Sequence, residues 1–290
     1  MKIWQRSGGF YSEEPQQGEK ALRFLYETVP GRVLLRAAVN PRASKWRARY
    51  QRSPRSKKDI LPFAERLGID LSGYDAEDFS CFNDFFTRQR GNRTDAAPNE
   101  LVAIADSRLR VYDVADDPVL KIKHSLYTLH EIAGDTFDLT PFRGGKCLVF
   151  RLAVQDYHRY VFPDDGRVVK TASIPGVLHT VRPISEHHRV YTRNTRVCTL
   201  LETEHFGTLL QVEVGAMLVG AIRNRPVTRF SRLEEKGYFE FGGSTILLFV
   251  PNTVAIDEDI LAQSRMGFET QVTIGEKIGE TKGETACSSD

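Results

Sequence analysis

The sequence predicts an α+β protein, with a helical N-terminal segment followed by a β-rich core of sandwich or barrel type. Three observations carry this. The first ninety residues have helical apolar spacing, short β-branched and aromatic runs take over from Leu101, and no long helical pattern interrupts them afterwards. With 290 residues, 41% of them hydrophobic, the chain is long enough for one large domain plus an accessory segment and too apolar for a disordered one.

In EKALRFLYETV, Leu22, Leu25, Tyr26 and Val29 recur at helical spacing, and Pro30-Gly31 is read as closing the segment. A second helix is expected around Val33 to Val39, ahead of Pro41. ILPFAERLGIDL and the Ser/Asp-capped DAEDFSCFNDFF predict one or two further short helices. From Leu101 the runs LVAIAD, LRVYDV, CLVFRLAV, GRVVKTASI, RVCTLLE, TLLQVEV, YFEFG and STILLFV alternate with Gly, Pro and Asp turns. Recurrence every 8–12 residues or so is an all-β signal. The tail from Glu276 is polar and expected to fray. The division expected is a helical, basic segment at 1–95, a β-rich catalytic domain at 96–275 and a polar tail at 276–290.

Several classes are excluded. The longest apolar run, Val214 to Ile222, ends at Arg223, far short of the roughly 18–20 residues that span a bilayer. MKIWQRSGGFYSEE has no apolar signal core, which predicts an intracellular protein. Cys81, Cys147, Cys198 and Cys287 lie far apart without a CxxC pair, so reduced thiols are expected, with neither a zinc site nor a disulfide framework.

The net charge of +2 hides a local asymmetry. Gly31 to Lys58 carries ten basic residues and no acidic one, with Val33, Leu34, Leu35, Trp46 and Tyr50 among them. Such a stretch suits an anionic leaflet, where each cation contributes on the order of 1 kcal/mol and Trp inserts at headgroup depth. It also suits nucleic acid or a plain solvated face, and charge alone does not choose.

Most apparent motifs carry no chemistry. Gly144-Gly145-Lys146 lacks the Ser/Thr and the spacing of a phosphate loop and reads as a hairpin turn. Gly215 and Gly220 read as close strand packing, and His187, His188 and His205 lack metal-ligand spacing, so no metal is expected. GGSTI is no nucleophile elbow, because Ile246 stands where that motif needs glycine. GGST itself, between YFEF and ILLFV, is ordinarily a glycine-rich hairpin. It is also a place where a strained turn would let the Ser244 hydroxyl attack the Gly243 carbonyl, given a base.

The motif has company. FNDFFTR, ADSRLRVY, LAVQDYHRYVFPDDG, PGVLHTV, NTRV, FGTLLQVEVGAMLVGAI and KGYFEFGGSTILLF occur in this order. Together they resemble the phosphatidylserine decarboxylase family over roughly residues 78–251, with DYHR, VGAxxVG and the C-terminal GST as the most specific parts.

The resemblance implies a proenzyme that cuts itself between Gly243 and Ser244, giving a β chain (1–243) and an α chain (244–290) that stay together as a heterodimer. Ser244 would become a pyruvoyl group at the new N-terminus, a self-made cofactor needing neither metal nor pyridoxal phosphate. Its ketone would form a Schiff base with phosphatidylserine, and phosphatidylethanolamine and CO2 would leave. Asp106 matches the acidic relay residue. The family's pattern has a second histidine, the relay base, where this chain has Val161, so the role falls to His158 of DYHR, with His179 of VLHTV as the alternative.

Under this reading the basic stretch (Arg32, Arg36, Arg42, Lys45, Trp46, Arg47 and Arg49) would dock on an anionic membrane surface at its cytoplasmic face, peripherally and without nucleic acid. Homo-oligomerisation is left open. Two competing readings are a soluble amino-acid decarboxylase of the same family and, motivated by Val161, an uncleaved lipid-binding pseudoenzyme.

Overall fold

The run STILLFV, Ser244–Val250, is buried at every position, and such a run needs the middle of a sheet. In the computed structural model, which describes residues 2–13, 18–116, 119–122, 125–181, 183–217, 221–242 and 244–283, it has that place. It pairs antiparallel with Gly207–Val214 on one side and Lys146–Leu152 on the other. These three strands centre a ten-stranded sheet. Arg196–Thr203, Gly166–Ile174 and Arg229–Phe230 extend it beyond Gly207–Val214. Ser107–Asp113, Glu269–Val272, Lys2–Gln5 and Phe10–Glu13 extend it beyond Lys146–Leu152.

Alternation along the strands sorts the core into two faces. Ile246, Leu248 and Val250 join Phe150, Leu109 and Leu209 on one face. Leu247 and Phe249 join Val149, Leu210 and Val212 on the other. A three-stranded sheet (Arg159–Val161, Glu235–Phe239 and Ile222–Asn224) packs on the first face through Tyr160, Val161 and Phe239. Cys147 and Cys198, as expected, are buried free thiols on strands of the large sheet, and Cys81 is also free and buried. Cys287 lies outside the described residues.

The N-terminal helices are α1 (Glu19–Glu27), α2 (Val29–Ala38), α3 (Pro41–Gln51), α4 (Ile60–Leu67) and α5 (Phe82–Phe86). Pro30-Gly31 opens α2 and does not close α1. Thr28 caps the helix by accepting the Gly31 N–H at 3.0 Å, and proline in the first turn has no N–H to leave unsatisfied. A side chain at position 31 would sit 1.8 Å from the Phe24 carbonyl oxygen, so only glycine lets the two helices meet there. α3 is capped by Asn40 and turns Ser44, Ala48 and Gln51 inward. α4 and α5 bury Phe63, Phe82, Phe85 and Phe86 in a cluster that also takes Phe241.

Three sequence expectations are corrected. The segment 1–95 is not wholly helical, because Lys2–Gln5 pairs in parallel with Glu269–Val272 and antiparallel with Phe10–Glu13. Four-residue strands whose partner lies at the far end of the chain leave no local pattern to read. The tail does not fray from Glu276, since Lys277–Thr281 is held between Val254–Ile256 and Glu100–Val102, while residues 284–290 lie outside the described residues. A helix, Glu258–Arg265, also interrupts the β region.

Candidate active site

Ser244 opens the central strand, fully buried, and faces Leu152 across the pair with Lys146–Leu152. Its Oγ has no hydrogen-bond partner among the described residues, and neither has the Oγ1 of Thr245 beside it. Buried hydroxyls without partners are rare in native interiors and destabilising. Gly242 has φ +132°, a backbone region that residues with a Cβ avoid. Gly243, the other half of the expected cleavage site, lies outside the described residues, as do 218–220 of the VGAMLVG motif.

His158 is fully buried. Its Nε2 lies 3.0 Å from the Ala153 carbonyl oxygen, which can only accept, so Nε2 carries the proton and Nδ1 is left as a bare acceptor. That Nδ1 has no partner among the described residues. The ring stacks on Phe86, and the His158 carbonyl accepts the Phe239 N–H at 3.0 Å, tying it to the strand that leads into the Gly-Gly-Ser turn. Burial drives the pKa down to about 3, and the Arg88 and Arg108 cations push the same way. At neutral pH the ring is uncharged.

His179 approaches from the other flank. Asn194, itself fully buried, accepts the His179 N–H at 3.0 Å and donates to the carbonyls of His179 and Gly215, each at 2.8 Å. Gly215 directly follows Val214, the partner of Thr245. The His179 Nδ1, however, is engaged by Tyr26 of α1 at 3.2 Å. Burial raises Tyr26 to about 12, so its hydroxyl stays protonated, donating to His179 while accepting the Thr180 N–H. Burial, then His188 and Arg193, lower His179 to about 4.

A sequence profile of the phosphatidylserine decarboxylase family matches residues 82–280. This chain belongs to the phosphatidylserine decarboxylase family. It is 44% identical over 278 residues to phosphatidylserine decarboxylase proenzyme 2 of Clostridium acetobutylicum, covering 94% of this chain and 95% of that protein. It is 37% identical to the proenzyme of Clostridium perfringens (96% of this chain, 99% of the other) and 35% identical to that of Desulfitobacterium hafniense (96% and 98%). Membership supports phosphatidylserine decarboxylase function, and these relatives are named as proenzymes.

Val161 is buried in the apolar core, and its N–H donates to the Ile104 carbonyl at 3.0 Å, two residues from Asp106. A histidine here would stand near that carboxylate; valine leaves Asp106 to other partners. These are Arg90 at 2.5 Å and the Ile274 N–H at 2.9 Å, and Asp106 makes no hydrogen bond to His158 among the described residues.

Sequence reasoning missed two further groups in this chain. Asp156, inside DYHR, accepts the Ala153 N–H at 2.7 Å and pairs with Arg108. Burial lifts its carboxyl to about 6, with Arg108 pulling against it and the Asp106 charge adding to it. Its place in the motif was a usable signal. Glu213 and Lys236 form a buried ion pair at 2.7 Å, completed by Asn224 at 2.9 Å from the second Glu213 oxygen. Burial lowers the Lys236 pKa against the pull of Glu213. Glu213 pairs with Ile246, two residues along from Ser244 on the same face. Only the register reveals that.

Proposed function

We propose that this chain cleaves itself between Gly243 and Ser244 and then decarboxylates phosphatidylserine through a pyruvoyl group made from Ser244. The observation that carries the reading is the buried Ser244 Oγ, without a hydrogen-bond partner among the described residues, two positions after Gly242, which is held at positive φ. A hydroxyl with no competing hydrogen bond is free to attack the preceding carbonyl, and the residues fit the group that results.

In self-cleavage the Ser244 oxygen bonds to the Gly243 carbonyl carbon as the C–N bond breaks, converting amide to ester. The hydroxyl proton needs an acceptor, and the bare Nδ1 of His158 supplies one, whereas that of His179 is occupied by Tyr26. Elimination then releases the Gly243 carboxylate, and water replaces the amino nitrogen, which leaves as ammonia. The two pieces stay joined because Ser244–Val250 remains paired on both sides. A pyruvoyl group at position 244 would supply a ketone able to bind the substrate amine and to accept the electron pair of decarboxylation. Phe86, stacked on His158 and packed on Phe241, excludes water from the imidazole, and the neutral His158 can hold or return a proton.

The substrate is met at a membrane face. Among the described residues no helix is long and apolar enough to cross a membrane. Instead Val29, Val33, Leu34 and Trp46 are exposed on α2 and α3 beside Arg32, Arg36, Arg42, Lys45, Arg47 and Arg49, an arrangement suited to peripheral docking on an anionic leaflet. Intact mass of the purified protein tests the reading. Two pieces parting at 243/244, the smaller with a blocked amino end, are expected from the natural chain, and one unbroken chain from Ser244→Ala. An unbroken natural chain with an ordinary serine would overturn it.

A further inference from the structure

Glu240 is only 4% exposed, yet two guanidinium groups share it. Arg52, the C-cap residue of α3, pairs with Oε2. Arg223, in the Ile222–Asn224 strand, donates from Nε to Oε1 at 3.1 Å. Arg47, further back on α3, lies over the ring of Phe241 at 5.5 Å. Three cations from two distant parts of the chain thus converge on residues 240 and 241, next to the Gly-Gly-Ser turn, with one carboxylate among them.

That leaves an excess of positive charge with donors to spare. The Arg52 and Arg223 side chains are 43% and 50% exposed. Each spends one N–H on Glu240 in the bonds given above, and a guanidinium has five. Glu240, fixed by its burial and by the bond from its own N–H to the Ala221 carbonyl at 3.0 Å, holds both forks in place. Planar forks with open N–H edges match the oxygens of a phosphate, and Arg holds them bidentately where Lys offers only a point charge.

We propose that Arg52 and Arg223, braced on Glu240 with Arg47 beside them, bind the phosphodiester of the lipid substrate. This rests on the reading that Ser244 provides the amine-capturing group. Residues 240 and 241 precede Ser244 by four and three positions, at most about 13 Å of extended chain and less through a turn. The amine and the phosphorus of a phosphoserine headgroup are separated by only a few bonds. Trp46 and Tyr50, both exposed on α3, put the leaflet boundary beside the clamp, so a lipid could present its phosphate there while its amine reaches inward.

The test uses the cleaved enzyme with glycerophospho-L-serine, which has the diester and the amine but no acyl chains and no leaflet. Arg52→Gln and Arg223→Gln are expected to process normally by intact mass and to raise KM about tenfold with kcat within about twofold, as for loss of one charge-assisted hydrogen bond. Glycerophosphoglycerol, a diester without an amine, should compete with the natural enzyme and weaken by the same factor on the variants. Arg52→Lys should recover part of the loss. Unchanged KM on the soluble substrate, with activity lost only on anionic vesicles, would overturn the clamp and assign these arginines to leaflet docking. Failure of both variants to cleave would overturn it in favour of bracing the turn. A natural chain that cleaves but turns over neither substrate would refute the functional reading itself.

Discussion

Phe86 stacks on His158, their ring centroids 4.3 Å apart and their planes 28° from parallel, and the same Phe86 ring touches Phe241 at 5.1 Å. A residue of the N-terminal helical segment therefore walls the candidate base and packs on Phe241, three positions before Ser244. Phe86→Ala should cost about 3–5 kcal/mol through lost burial and a cavity. Admitting water should also raise the His158 pKa from about 3 toward its ordinary value near 6.5. Urea unfolding and NMR titration of the ring read the two effects. A destabilised variant with an unmoved His158 pKa would mean that Phe86 does not keep that ring dry.

Acid stability gives a second check, because the buried groups titrate in opposite directions. His158 and His179 take up a proton near 6.5 when unfolded but only near 3 and 4 when folded. Between those values the unfolded chain binds more protons, so stability falls as pH drops through that window. Asp156 works against this, since its folded pKa near 6 lies above the 3.8 of the unfolded chain, and its effect is a loss of stability as pH rises from 3.8 to 6. His158→Phe should therefore flatten the fall in urea midpoint between pH 6.5 and 4.5, and Asp156→Asn should steepen it. Equal slopes in all three proteins would contradict a buried neutral His158.

The Glu213–Lys236 pair predicts strong coupling. Lys236→Met alone strands a carboxylate that is wholly buried and should destabilise by about 3–5 kcal/mol. Adding Glu213→Gln should restore much of that, because no charge is then left unpaired. Additive losses in a double-mutant cycle would show that the pair is not coupled as its geometry requires.

Gly242 sits at φ +132°, so Gly242→Ala must strain or rearrange the turn, at about 1–3 kcal/mol. Cleavage at 243/244 is expected to slow about tenfold or more, with the folded core intact by circular dichroism. Cleavage at the natural rate would show that the strained turn is dispensable.

Much of the architecture was legible because it is local. The helices of EKALRFLYE and ILPFAERL and the strands of STILLFV and TLLQVEV announce themselves by apolar period. Pro30 was misread because proline marks a helix start as readily as a stop, and only the Thr28 cap decides between them. Ser244 was legible through its glycines and the ordered company of motifs. The sequence put His158 ahead of His179 through its DYHR context alone; which ring nitrogen has a partner is a separate, tertiary observation. Tyr26, far away in sequence, supplies one to His179, and none of the described residues supplies one to the Nδ1 of His158.

The sequence by itself determined the secondary-structure period, the family, the candidate Gly-Ser link and the position where a histidine gives way to Val161. Those are properties of residue type and short-range spacing, which survive in an unfolded string. Only the tertiary structure decided that Glu213 and Lys236 are paired on the Ser244 side of the sheet, that Arg52 and Arg223 meet on Glu240, and that the chain's first strand lies beside Glu269–Val272. Each of these is a contact between distant segments, fixed by strand register and burial, and no local pattern encodes it.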